Sequence, residues 1–378
     1  MADDFRGSVA QEDVQFGTGI TQTIFVGEAY SKLMIFIEKG RFVADATAFI
    51  SITDDVSRAI VTKDNFATVV NGVLLQWLTD FYAGGSSAEV HLIAFCEDLT
   101  SGTDFSPEAL AAAYDLVKFD AYFKSILVKG ADSDVVLPAA CVKLAQLCVA
   151  DKLYSSAPLY PIVTAPANLT DDPIYAALEA EGCKYFGVMH PSVNRNGAIL
   201  QLGLSLFVIN GSGTPVGNSF DFIKTTLIDA SGVDGAALTV TEQAILKDAN
   251  ISYFKPVGDG SGVMVLYGAK DSKGTVVPAD WIVAYCDYCN KVYTAGIMVN
   301  ANVFKSAQVY QQILSSMSNT VNKFTEKGSG RLVNYNVTAP SYSDLPAAPA
   351  DKFIIPNAWS ATYQDNLRAV DVQGTLTV

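Results

Sequence analysis

The chain has 378 residues, half of them apolar, with a formal net charge of −14, enough length for two or three domains around a large core. The acidic balance excludes a nucleic-acid partner, which asks for stripes of Lys and Arg, and suits a protein kept soluble at high local concentration before assembly. Mean hydropathy is +0.25, yet no run approaches the roughly 18 uninterrupted apolar residues of a spanning helix, so the apolar excess is assigned to protein–protein surface and no membrane partner is expected.

Residues 1–30 read as an arm. They open on the acidic MADDFRGSVAQEDVQF, which lacks the apolar region of a secretory signal, and hold one β-prone patch, ITQTIFV, with Ile20, Ile24 and Val26. Strands are predicted at 33–37 and 48–52. Over 66–82 the residues Val69, Val70, Val73, Leu74, Trp77, Leu78 and Phe81 are spaced for one helical face, and Gly84-Gly85 stops the helix. EVHLIAF at 89–95 is a strand. Ser106-Pro107-Glu108 opens a helix with a capping Ser and Pro at the first position. Then come a strand at 124–129, a helix at 137–150, a strand at 159–164, a helix from Asp172-Pro173 to 181 and a strand at 184–189. Strands alternating with helices imply a βαβ-type domain with a largely parallel sheet.

An apolar run at 197–210 ends in GSGTPVGNS at 211–219, a linker or hinge. A smaller α/β unit follows: a helix at 241–249, strands at 251–257 and 263–268, helices at 280–300 and 303–327, and a strand at 331–338. The second long helix carries Tyr310, Ile313, Met317, Val321 and Phe324 on one stripe. Its other face is Ser, Gln and Asn with Lys305, Lys323 and Lys327. Residues 339–365 are poor in core-building pattern. In RAVDVQGTLTV at 368–378, Val370, Val372, Leu376 and Val378 share one parity, the period of a half-buried strand. A lone strand must add to a sheet edge, its own or a neighbour's.

The expected fold class is therefore α/β: a mixed-sheet body of alternating strands and helices, a second smaller α/β C-terminal domain, and extended strand-forming terminal arms. The divisions fall at 1–30 (arm), 31–210 (body), 211–240 (linker), 241–356 (C-terminal domain) and 357–378 (arm).

No catalytic, cofactor-binding or metal-ligating set emerges. The two histidines, His91 inside a strand and His190 at a strand end, lack a nucleophile or ligand partner by spacing. Cys286 and Cys289 form a CxxC, but mid-helix, and no second ligand pair accompanies it. Cys141 and Cys148 share an apolar helix face. The cysteines are read as reduced and buried, with no disulfide framework. Gly258 to Gly262 precede a strand rather than a helix, so they make a tight β-turn and not a phosphate cradle. An enzyme is not expected.

The order of parts from residue 241 onward resembles the contractile-tail sheath proteins of bacteriophages. TEQAILKDANISYFKPV at 241–257, VMVLYGAK at 263–270, PADWIVAYCDYCNKVYTAGIM at 278–298 with its Asp280-Trp281, and the closing RAVDVQGTLTV carry the resemblance. It covers about the last third of the chain; the rest fits in outline only, and the chain is short for a sheath. The resemblance implies a structural subunit that forms hexameric rings stacked as a helical sleeve around a tail tube. It further implies baseplate and neck or terminator partners, no cofactor, and a place in the virion tail after synthesis in the host bacterial cytoplasm. Strand exchange between subunits would use Ile20, Ile24, Val26, Val370, Val372, Leu376 and Val378, and the C-terminal domain would face the tube with Lys305, Lys323 and Lys327. Two alternatives stand beside it: another virion assembly protein (capsid or neck), and a degenerate α/β nucleotide-binding enzyme.

Overall fold

The structure, a computed structural model, describes Tyr30 and residues 32–38, 49–52, 68–83, 89–95, 105–128, 136–160, 166–192, 195–206, 224–225, 237–256, 264–268, 270–299, 305–325, 331–348, 354–355 and 358–363. Both expected arms lie outside these residues except for 30 and 358–363, and so do the linker residues 211–219 and the glycine turn at 258–262.

Six strands build the body: β1 (Lys32–Glu38), β2 (Phe49–Ile52), β3 (Glu89–Phe95), β4 (Phe123–Leu127), β5 (Tyr154–Leu159) and β6 (Phe186–Met189), in the order β2-β3-β1-β4-β5-β6. All neighbours pair parallel except β2, which runs antiparallel along β3 at one edge. Helices α1 (Thr68–Ala83), α2 (Pro107–Val117), α3 (Pro138–Ala150), α4 (Pro173–Ala180) and α5 (Gly197–Gln201) supply the crossovers and the outer layers. This is the expected mixed α/β body. Parallel strands need helices on both faces, and every residue of β4, β5 and β6 is buried.

The caps form as their residues dictate. Ser106 Oγ accepts from Ala109 N at the start of α2, and Asp172 Oδ1 accepts from Ile174 N and Tyr175 N at the start of α4. Asn196 caps α5 in the same way, accepting from Ala198 N and Ile199 N while its Nδ2 donates to Ser125 Oγ of β4. A π-helical turn (Leu202–Leu206) continues α5 and rests on α1. It can do so because residue 203 is Gly: a Cβ there would stand 2.1 Å from the Phe81 carbonyl oxygen.

The expected strand at 159–164 lies outside the described residues over 161–164; the described strand is β5, Tyr154–Leu159, which the expectation meets only at Leu159. The apolar LYPIVT outweighs YSSAPL on pattern alone, but the chain turns at Lys152 (φ 59) and enters the sheet within two residues. Ser155 and Ser156 are carried into the interior.

The C-terminal part begins with α6 (Val240–Asp248), where Thr239 and Glu242 close a capping box. Strands β8 (Tyr253–Pro256) and β9 (Met264–Tyr267) pair antiparallel, and β7 (Lys224–Thr225) joins the outer side of β9. Then come α7 (Val277–Val299), α8 (Ala307–Asn322), β10 (Leu332–Val337) and β11 (Trp359–Tyr363). A Val188–Ser252 bridge ties this part to the edge of the body sheet. One contiguous apolar core extends from Tyr30 to Leu332. A satellite cluster of Tyr310, Ile313, Met317, Ile355 and Ala358 packs against Leu345 and Trp359.

Candidate functional site

Helices α7 and α8 lie side by side and carry the β10–β11 ribbon. The Asp280-Trp281 pair fixes the start of α7. Trp281 is fully buried, stacks on Tyr285 (ring centroids 5.5 Å apart, 14° between planes), and meets Phe324 edge-on at 6.1 Å. Its Nε1 donates to the Tyr30 carbonyl at 2.9 Å, so the indole's polar atom is satisfied at depth.

Asp280 enters a polar junction with the body sheet. Tyr154 Oη at the head of β5 lies 2.7 Å from Asp280 Oδ2 and 3.1 Å from Asp271 Oδ2. Lys184 Nζ sits 3.2 Å from Asp271 Oδ2 and 3.5 Å from Asp280 Oδ2, with the Tyr154 ring 4.5 Å below it. The other oxygen of Asp271 accepts from Lys273 N and Thr275 N. A fully buried carboxylate is tolerable because every lone-pair direction meets a donor.

The ribbon is built differently. Leu332 N donates to Phe324 O at 2.7 Å, which starts β10 at the foot of α8, and Tyr335 Oη contacts Ser318 Oγ at 3.0 Å. Between Val333 and Asn336 the register shifts at a bulge, with Asn334 at φ 53. In β11, Trp359, Ala361 and Tyr363 face the core while Ser360 and Thr362 are exposed. The ribbon is a sheet of two strands, and neither outer edge is paired among the described residues. Such an edge is a template for another strand. The sequence pattern over 339–365 gives no core element, and here it is corrected. Residues 359–363 alternate properly, but Ser, Ala and Thr weaken the signal.

Along α8 the apolar stripe packs inward as expected, with Tyr310, Ile313, Met317, Val321 and Phe324 all buried. Tyr310 Oη donates to Pro340 O at 2.6 Å. The outer face is mostly uncharged: Gln308, Gln311, Gln312, Ser315 and Asn319, with Tyr293 of α7 and Lys323 at one end, line an open groove of about 730 Å³. Lys305 and Lys323 stand at opposite ends, roughly 25 Å apart at 1.5 Å per residue. Lys305 Nζ reaches Ala348 O, and Lys323 Nζ lies 6.0 Å from the Tyr285 ring centre. The two do not form one patch, and Lys327 lies outside the described residues, as do Ile20, Ile24, Val26, Val370, Val372, Leu376 and Val378.

The chemistry-bearing residues are packed as structure. His190 is buried; its Nδ1 accepts from Ser192 N, and burial followed by the nearby Arg195 holds its pKa down at about 3. His91 falls within β3. Cys286 and Cys289 are buried within α7, and burial pushes both thiols up. Cys141 and Cys148 are buried on α3. Among the described residues no group of three His, Cys, Asp or Glu side chains is placed to hold a metal, and no helix is long and apolar enough to cross a membrane.

No protein-family model matches the sequence, and no curated protein does. Solved structures do match. A chain of the six-fold symmetrised baseplate of the anti-feeding prophage superposes with a TM-score of 0.59 at 13% identity, covering 98% of this chain and 99% of that one. A chain of the PVC sheath complex, an extracellular contractile injection system in its contracted state, gives 0.52 at 11% identity over 97% of each. The sheath tail protein Lin1278 from Listeria innocua is a looser match, 0.45 at 9% identity, over 82% of this chain and 90% of that one. Over nearly its whole length, this chain shares the fold of the matched chains of the anti-feeding prophage baseplate and the PVC sheath complex.

Proposed function

We propose that this protein is the structural subunit of a contractile sheath. It polymerises with itself as hexameric rings stacked into a sleeve around a tail tube, meets baseplate and neck or terminator proteins at the sleeve's ends, and contracts to drive the tube through the host envelope. The observation that supports this most is the end-to-end match of fold, 97–99% of each chain. A relation confined to the α/β body would have fitted an enzyme equally well. The ribbon edges, unpaired among the described residues, add a physical reason: strands from neighbouring subunits complete them by main-chain hydrogen bonding, which survives rigid-body rotation of the subunits.

The subunit does no covalent chemistry, and the free energy of movement resides in a metastable extended lattice. Its site is the tail of the virion, after synthesis in the host bacterial cytoplasm. Toward the tube it turns the C-terminal unit, with Lys305, Lys323 and Lys327 as its contacts, in a chain whose net charge is −14.

Negative-stain microscopy of purified protein, with and without tube protein, tests this reading. Sleeves are expected, and mild urea or heat should shorten them irreversibly without nucleotide or metal. Shells, or dispersed monomers stabilised by nucleotide, would contradict it. Reversing the three lysines to Glu should weaken tube co-assembly and lower its salt sensitivity. Unchanged co-assembly would remove the lysines from the interface.

A further inference from the structure

Lys124, in the middle of β4, is fully buried, although a strand lysine in sequence reads as a solvated residue. Its Nζ donates to the Ala121 carbonyl and lies 5.7 Å from the centre of the Tyr114 ring. Among the described residues no carboxylate comes within ion-pair distance of it. The carboxylates of Asp120 and Asp151 act on it from farther away, and Asp151 is engaged by Lys118 at 3.5 Å. Cys148 of α3 faces the same space, its thiol pushed up to about 12 by burial. Tyr114 of α2 closes it from the other side, with its hydroxyl donated to Leu147 O. On β5 the register partner is Ser155, whose buried Oγ has no hydrogen-bond partner. On β1 the register partner is Met34. An ammonium has three donors to satisfy, and here one carbonyl and a ring face receive them.

We propose that Lys124 is a proton switch built into the α2–β4–α3 layer. With its proton it is an under-satisfied buried cation that loosens the layer, and without it the layer tightens. Burial is the leading cause of a pKa lowered from the usual lysine range to about 8. The sign follows from linkage. Below about pH 8 the folded and unfolded chains both hold the proton, so the penalty is constant. Between pH 8 and the ordinary lysine pKa of about 10.5, only the unfolded chain still binds it, and stability rises with pH. The buried thiols act oppositely there, because the unfolded chain loses their protons first. The switch is therefore read as a difference between two chains.

The experiment compares unfolding of the wild-type chain with Lys124→Met and Lys124→Gln from pH 7 to pH 10.5. The Met variant should be the more stable at pH 7. Its advantage, expressed as a ratio of unfolding constants, should shrink by about two orders of magnitude across the range. A ratio that stays flat overturns the proposal. If neither variant folds, the 15Nζ resonance of Lys124 in wild-type protein decides: a midpoint near 8 supports the switch, and a midpoint at the ordinary lysine value refutes it. Neither reading depends on whether the chain forms a sleeve.

Discussion

The body sheet and the β10–β11 ribbon solve the same problem in opposite ways. In the body, β4, β5 and β6 are buried throughout, helices cover the sheet, and β2 runs antiparallel along its edge. The ribbon has two strands, one face on α8 and the other in solvent, and two unpaired edges among the described residues. A two-stranded sheet is marginal by itself. The contrast suggests a division of labour: the body sheet is largely covered by its own helices, whereas the ribbon leaves two edges unpaired among the described residues, which the proposed function fills with strands from a neighbour.

The severest way to break this comparison is to attack what joins the two regions. Trp281 sits where α7 meets Tyr30 and Phe324, so Trp281→Ala should cost about 3–5 kcal/mol and melt body and ribbon together. Thermal unfolding followed by circular dichroism checks this. A loss confined to assembly, with the melting temperature preserved, would show that the two regions are independent.

A smaller effect sharpens the account of the body. His190 is held neutral to about pH 3, while an unfolded histidine takes its proton near 6.5. Between those values the unfolded chain binds more protons, so stability should fall as pH falls, by up to about 1.4 kcal/mol per pH unit. Asp80 and Asp172, whose buried carboxyls are raised, contribute with the opposite sign. His190→Gln should therefore flatten the acid limb relative to wild type in denaturant titrations from pH 7 to 4. Parallel slopes would mean that His190 is not the group responsible.

Much of the fold was legible in the sequence, because long buried segments carry strong periodicity and caps carry their own chemistry. Glu89–Phe95 as a strand and Ser106 and Asp172 as helix starts are local facts, and local facts survive folding. What was lost is non-local. Strand β5 hides because its buried serines look like loop residues, and β11 hides because small polar residues alternate with its anchors. The junction of Tyr154, Lys184, Asp271 and Asp280 spans 126 residues of chain, and no spacing rule connects them. Lys305 and Lys323 share a helix in sequence, but position along the axis keeps them from acting as one patch. The CxxC was readable as core because a mid-helix pair lacks the strand-to-helix context that redox chemistry needs.

The central claim is that the chain folds without its neighbours and that assembly is carried by strands added to the ribbon. Deleting residues 368–378 tests it most directly, with melting and sedimentation measured on the same preparation. The account predicts a melting temperature within about 2 °C of wild type, since the proposed role of these residues is to bind a neighbour, and a chain that sediments as a monomer with no sleeves by electron microscopy. Full-length sleeves built by the truncated chain would contradict it.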